Sequence, residues 1–165
     1  MITSATDSAR ERTAAAGERH GQQEVDGRAV RARLRRIREL LIWLADLGPV
    51  DPPRLIDEPA TALAVERILT LLVDLALACN SDVAASVLDC APKTYEDSFD
   101  LAAQAGMITP ELAEQLRPSA SMRNVLVHRS LEADQAQVAM AVPRAPGLYG
   151  EYVAQVAAYV AGRAA

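Results

Sequence analysis

The chain has 165 residues, enough for one domain with one core; half of them are hydrophobic and only 4% aromatic. A formal net charge of −5 excludes an overall cationic field, so any nucleic-acid contact has to be local. Cys79 and Cys90 lack Cys-x-x-Cys spacing and lie far from His20 and His128, so no zinc pattern can be assembled.

No metal or cofactor is therefore expected. The first residues lack the apolar stretch of a signal peptide, and no apolar run nears the ~20 residues of a membrane span. A cytoplasmic protein with reduced thiols and no membrane contact is the expectation. A core of Leu, Val, Ile and Ala fills helix interfaces better than it tiles a sandwich, so the fold class expected is all-α.

Residues 1–26 mix Ser, Thr, Gly, Gln and charges with almost no large apolar side chain, and read as a flexible tail. The domain then spans 27–165. From about Arg28, Val30, Leu34, Ile37, Leu41, Leu44 and Leu47 recur at spacings of four and three, with arginines between them. This predicts a first amphipathic helix, stopped at Gly48-Pro49. The stretch VDPPRLIDEP reads as loop, because its prolines lack the amide donor that regular structure uses.

A second helix is expected from near Asp57 or Pro59. Leu63, Ile68, Leu69, Leu71, Leu72, Leu75, Ala76 and Cys79 make it apolar around most of its circumference, as in the most buried helix of a bundle. Its polar stripe Arg67, Thr70 and Asp74 has two readings: a charge paired within the core, or an Asp74 that faces Arg123 or His128 and orients it.

After a weaker stretch from Ser81 to Ala91, Thr94 caps a third helix with Asp97 three residues on, and Gly106 closes it. Tyr95, at that helix start, reads as a packed ring with its hydroxyl towards water. Thr109-Pro110 starts a fourth helix, in which Pro118 predicts a kink or restart and sets Arg123 to His128 apart as a candidate separate piece. A short helix beginning at Leu131 to Asp134 is interrupted by Pro143, Pro146 and Gly147. A last helix carries Leu148, Tyr152, Val156, Tyr159 and Val160 on one face.

The stretch RNVLVHRS, from Arg123 to Ser130, carries the chemistry. At about 3.6 residues per turn Arg123 and His128 lie roughly 140° apart, whereas Asn124 and His128 are stacked at i and i+4. The Asn124 amide can then fix the imidazole while Arg123 approaches from the flank. An imidazole that moves a proton to or from a ribose oxygen, beside a guanidinium that binds the phosphate, suits metal-free phosphodiester cleavage. RNA supplies its own nucleophile, the 2'-hydroxyl. The same residues at a helix end also satisfy the negative end of the helix dipole with no catalytic role.

The strings ERILTLLVDLALA (66–78), PKTYEDSFDLAAQAGMITPELAEQL (92–116) and SMRNVLVHRS (121–130) resemble the HepT-like branch of the HEPN superfamily. The resemblance covers residues from about 28 to 160. It implies an antiparallel HEPN-like helical bundle that dimerises with its two motifs facing a shared cleft. It also implies a ribonuclease toxin acting on RNA, neutralised by a small MntA-like nucleotidyltransferase antitoxin. Arg123 and His128 match the family's catalytic pair, Asn124 the polar residue beside the arginine, and Asp74 is a supporting candidate.

One position departs from the family pattern. Ser130 stands where the family has the tyrosine to which the antitoxin attaches AMP, so it is the candidate modification position with a shorter and far less acidic hydroxyl. That change and the acidic net charge also fit a second expectation, a non-catalytic helical module that partners a nucleotidyltransferase. A third is a regulatory bundle with a nucleotide in its dimer cleft. The arginine-rich RAVRARLRRIRE face reads equally as a solvated face and as a partner surface.

Overall fold

The structure, a computed structural model, describes residues 25–128 and 134–163. These form seven α-helices and one π-helical turn, and no strand occurs among the described residues. The segment 1–24 and Ser130 lie outside them.

Helix α1 (Gly27–Asp46) begins where Asp26 Oδ1 accepts from the amides of Arg28 and Ala29 at 3.0 and 3.1 Å, and it ends at Gly48, whose φ is +71°. Val30, Leu34, Ile37, Leu40 and Leu44 are its buried face; Leu41 and Leu47 are only partly covered.

The expected proline loop is in part a helix, α2 (Pro52–Asp57). Both prolines stand in the first turn, where an amide donor has no intrahelical use, and Asp51 Oδ1 caps the Arg54 amide at 2.8 Å. Arg54 ties the turn down by donating to the Leu47 and Pro49 carbonyls, both at 2.7 Å.

Helix α3 (Pro59–Val83) packs against α1, α2, α4 (Tyr95–Gln104) and α5 (Pro110–His128), which makes it the centre of the bundle. Leu63 departs from the expectation and is 67% exposed. The weaker stretch after Ser81 continues as helix to Val83 and then as a π turn (Ala84–Leu88), ending at Asp89 in left-handed conformation with φ 50°.

Thr94 caps α4 through the Asp97 amide at 3.0 Å, and Asp97 returns to the Lys93 amide at 2.8 Å. Gly106, with φ +72°, closes the turn behind it.

Pro118 does not break α5, which runs unbroken to His128. Its ring removes the bond to the Glu114 carbonyl, but both residues are exposed, so that carbonyl lies on the solvent side. On the inner side Ser119 Oγ donates to the Leu116 carbonyl at 2.6 Å and pairs with Tyr149 Oη at 2.8 Å.

Helix α6 (Gln135–Ala141) is capped by Asp134, and α7 (Ala145–Arg163) takes Pro146 and Gly147 into its first turn, where the sequence reading had them interrupt. Helix α7 packs against α1 and α5.

A polar triad sits inside this apolar core. Tyr152 Oη donates to Asn80 Oδ1 at 2.8 Å, and Asn80 Nδ2 donates to Ser98 Oγ at 3.2 Å. Ser98 in turn donates to the Tyr95 carbonyl at 2.6 Å and Tyr152 Oη also reaches the Ala76 carbonyl at 3.2 Å, so α7, α3 and α4 are joined by buried side chains that satisfy one another and the adjoining backbone.

Candidate functional site

Arg123 comes from the fifth helix and is tucked against α3 and α4. Its Nε donates to Asp74 Oδ1 at 2.9 Å, with the two side chains 15% and 33% exposed. The face of the guanidinium lies over the Tyr95 ring, 4.3 Å from its centroid. Three helices therefore fix one cation, with its Nε and one face committed. The Nη edge has no hydrogen-bond partner among the described residues.

The Tyr95 phenol is raised above its ordinary pKa, first by burial and then by the neighbouring Asp74 charge. It is thus a neutral ring at physiological pH. Beside it Ser121 Oγ donates to Glu96 Oε1 at 2.9 Å, and Arg117 makes a bidentate pair with Asp100 at 2.7 and 2.9 Å, further pinning α5 to α4.

Arg123 also lines a groove of about 680 Å³ between α5, α6 and α7. Met122, Leu126, Val138 and Leu148 form its apolar wall, and Tyr149, whose phenol is raised by complete burial, closes its floor. This is a volume in the usual range of small-ligand sites, ~300–1,000 Å³.

His128 is exposed at the last turn of α5, and the unbroken helix stacks partly buried Asn124 one turn below it. No hydrogen bond joins the two among the described residues. The structure thus brings Asp74 to Arg123, and leaves His128 and Asn124 on another face of the same helix.

The two readings of Asp74 meet in one contact: the carboxylate is a paired charge and its partner is Arg123, whereas Arg67 is exposed and Thr70 spends its hydroxyl on the Glu66 carbonyl at 2.8 Å. Tyr95 was read from the sequence as a packed ring at a helix start, and its ring does pack; what the sequence did not reveal is the partner, because a place after the Thr94 cap says nothing of an arginine 28 positions away. Among the described residues no group of three or more His, Cys, Asp or Glu side chains is placed to hold a metal ion.

The sequence matches the family described as ribonuclease HepT-like over residues 30–146. The chain belongs to the HepT-like ribonuclease family. It is 34% identical over 98 residues to the tRNA nuclease HepT of Aphanizomenon flos-aquae (strain 2012/KM1/D3), covering 59% of this chain and 67% of that protein.

The HepT-like fold recurs in solved structures. The cytosolic protein of unknown function YutE from Bacillus subtilis superposes with a TM-score of 0.71 at 19% identity, over 82% of this chain and 91% of that one. The tri-AMPylated Shewanella oneidensis HEPN toxin, solved in complex with MNT antitoxin, gives a TM-score of 0.70 at 18% identity, over 79% and 97%. Likeness at these identities shows the shared all-helical fold. No helix among the described residues is long and apolar enough to cross a membrane.

Proposed function

We propose that this HepT-like ribonuclease is a metal-independent endoribonuclease toxin in which Arg123 binds the scissile phosphate and His128 moves the proton. The carrying observation is the guanidinium held by Asp74 and Tyr95 beside a groove, with its Nη edge unspent among the described residues. A positioned cation of this kind needs no reorganisation as negative charge grows on the phosphoryl oxygens.

In the reaction the 2'-hydroxyl gives its proton to the His128 imidazole and its oxygen bonds to the adjacent phosphorus. The bond from phosphorus to the 5' oxygen breaks, that oxygen takes a proton from water and the imidazolium returns its own to solvent, leaving a 2',3'-cyclic phosphate and a free 5'-hydroxyl. Asn124, one turn from His128, is placed to steady the ring, and Asp74 steadies the cation.

Arg123 and His128 point about 140° apart on one helix, which favours a homodimer in which each cleft combines groups from two copies. Exposed Val125 and Val127, beside Asn124 and His128, give α5 apolar surface for such an interface. The substrate class that the Aphanizomenon relative supports is tRNA. The complex of the Shewanella toxin with MNT antitoxin supports an MntA-like nucleotidyltransferase partner, and its AMPylated state supports Ser130 as a modification position.

The deciding assay incubates purified protein with tRNA in EDTA. Wild type is expected to cleave, and His128→Ala and Arg123→Ala to lose at least a hundredfold in rate while remaining folded. Cleavage by His128→Ala at the wild-type rate overturns the assignment.

A further inference from the structure

Arg28, Arg31, Arg35 and Arg38 of α1 are all exposed and follow one another at spacings of three, four and three. At about 100° per residue they fall within an arc of about 80°, opposite buried Ile37. None of the four meets a carboxylate among the described residues. The other two arginines of the helix are engaged: Arg33 pairs with Asp82, and Arg36 with Glu39 at 2.9 Å.

This one helix holds six arginines against Glu39 and Asp46, on a chain whose net charge is −5. The cations are therefore gathered here against the bulk composition. At 1.5 Å rise per residue the ridge is about 15 Å long, enough to follow about three successive phosphates of a nucleic-acid strand. At its far end the Trp43 ring is 47% exposed and carries the Arg36 guanidinium 4.4 Å from its centroid.

We propose that this ridge is a second contact surface for the RNA substrate, gripping its phosphate backbone away from the cleavage groove, which no α1 residue lines. The proposal rests on the ribonuclease reading above. Guanidinium groups match phosphate oxygens two by two, and a half-exposed indole beside a cation offers a platform for an unpaired base. An acidic protein partner fits less well, because the apolar residues exposed at this surface, Ile42 and Trp43, lie together at one end beyond Arg38 and leave the arginines without the dry apolar centre of a protein interface.

The test replaces all four arginines by glutamine in the full chain carrying His128→Ala, and follows binding of fluorescent tRNA by anisotropy across a salt series. The slope of log Kd against log salt is expected to fall by about 3 to 4, with affinity at low salt dropping at least tenfold. A fourfold Arg→Lys variant, which keeps the charge, restores most of the affinity. With His128 intact, the same glutamine variant loses through KM and cleaves a trinucleotide like its parent.

An unchanged slope and Kd in a variant of unaltered melting temperature overturns the proposal. So does a variant that binds RNA normally and loses only an acidic protein partner. Repeating the titration with a 2'-O-methylated RNA, which lacks the attacking hydroxyl, reads binding without cleavage whatever the role of His128, so failure of that assignment leaves this result intact.

Discussion

Asp74 uses one carboxylate oxygen on Arg123 Nε and Tyr95 covers the guanidinium face, so both act on the direction in which the Nη edge points. Asp74→Asn keeps the shape and removes the charge. It is expected to lower cleavage at saturating RNA roughly tenfold to a hundredfold, as small misplacements of a phosphate-binding group do. Tyr95→Phe should cleave like wild type and Tyr95→Leu several-fold less, because the ring and not the hydroxyl does the holding. Steady-state kinetics on one RNA separates these outcomes.

Also at this scale, burial pushes the Cys79 thiol up to about 11 from 9.0, against the opposing pull of nearby Arg33. A group whose pKa is raised by folding adds stability that is whole below the unfolded value. That share, on the order of 2 kcal/mol, is lost as pH climbs from about 9 towards 11. Urea melts between pH 8 and 11 should show the decline, and Cys79→Ala should make it shallower.

The carboxylate of α3 stood out in the sequence as a charge in an apolar helix, and its partner did not. Asp74 and Arg123 lie 49 positions apart, and periodicity along one helix carries no information about which residue of another helix it meets. Arg123 and His128 stood out by their motif and flanking strings, but the Asp74 and Tyr95 contacts that hold Arg123 did not. Tyr95 was visible as a packed ring at a capped helix start, without its arginine.

Local chemistry decided most of the elements. Capping at Asp26, Thr94 and Asp134 and left-handed glycines at 48 and 106 set boundaries that were legible in the sequence, apart from that of α6. Misreadings came from proline, whose effect depends on which side of a helix faces water. In α2 and α7 the prolines occupy first turns, where they favour helix.

In α5, Pro118 removes one bond on an exposed face and the helix continues to His128. Pro118→Ala restores that bond. The net gain is roughly 2 kcal/mol once the looser unfolded chain is discounted, and it is checked as a rise in thermal midpoint. A fall in cleavage accompanying that rise would show that the missing bond also sets the path of α5 towards Arg123.

For the whole molecule, the separation of Arg123 and His128 on one helix makes assembly testable by complementation. Arg123→Ala and His128→Ala proteins are each expected to be inactive. In the proposed homodimer, the two proteins unfolded together and refolded should regain about a quarter of wild-type activity, because half the dimers would be mixed and each would hold one complete cleft of two. No recovery places both groups of a working cleft on the same copy.

The Tyr152–Asn80–Ser98 triad bears on all of this from a distance. Asn80 stands six residues beyond Asp74 on α3, about 9 Å along the axis, and Ser98 stands three residues beyond Tyr95 on α4. If either helix slid by a turn, these buried groups would be orphaned, at about 1–3 kcal/mol each. The triad therefore works as an alignment key: greasy side chains tolerate several registers, and this lock accepts one. The setting of Asp74 and Tyr95 against Arg123 is thereby inherited from deep in the core, and on the proposed mechanism a core redesigned for tighter packing alone could melt higher yet cut nothing.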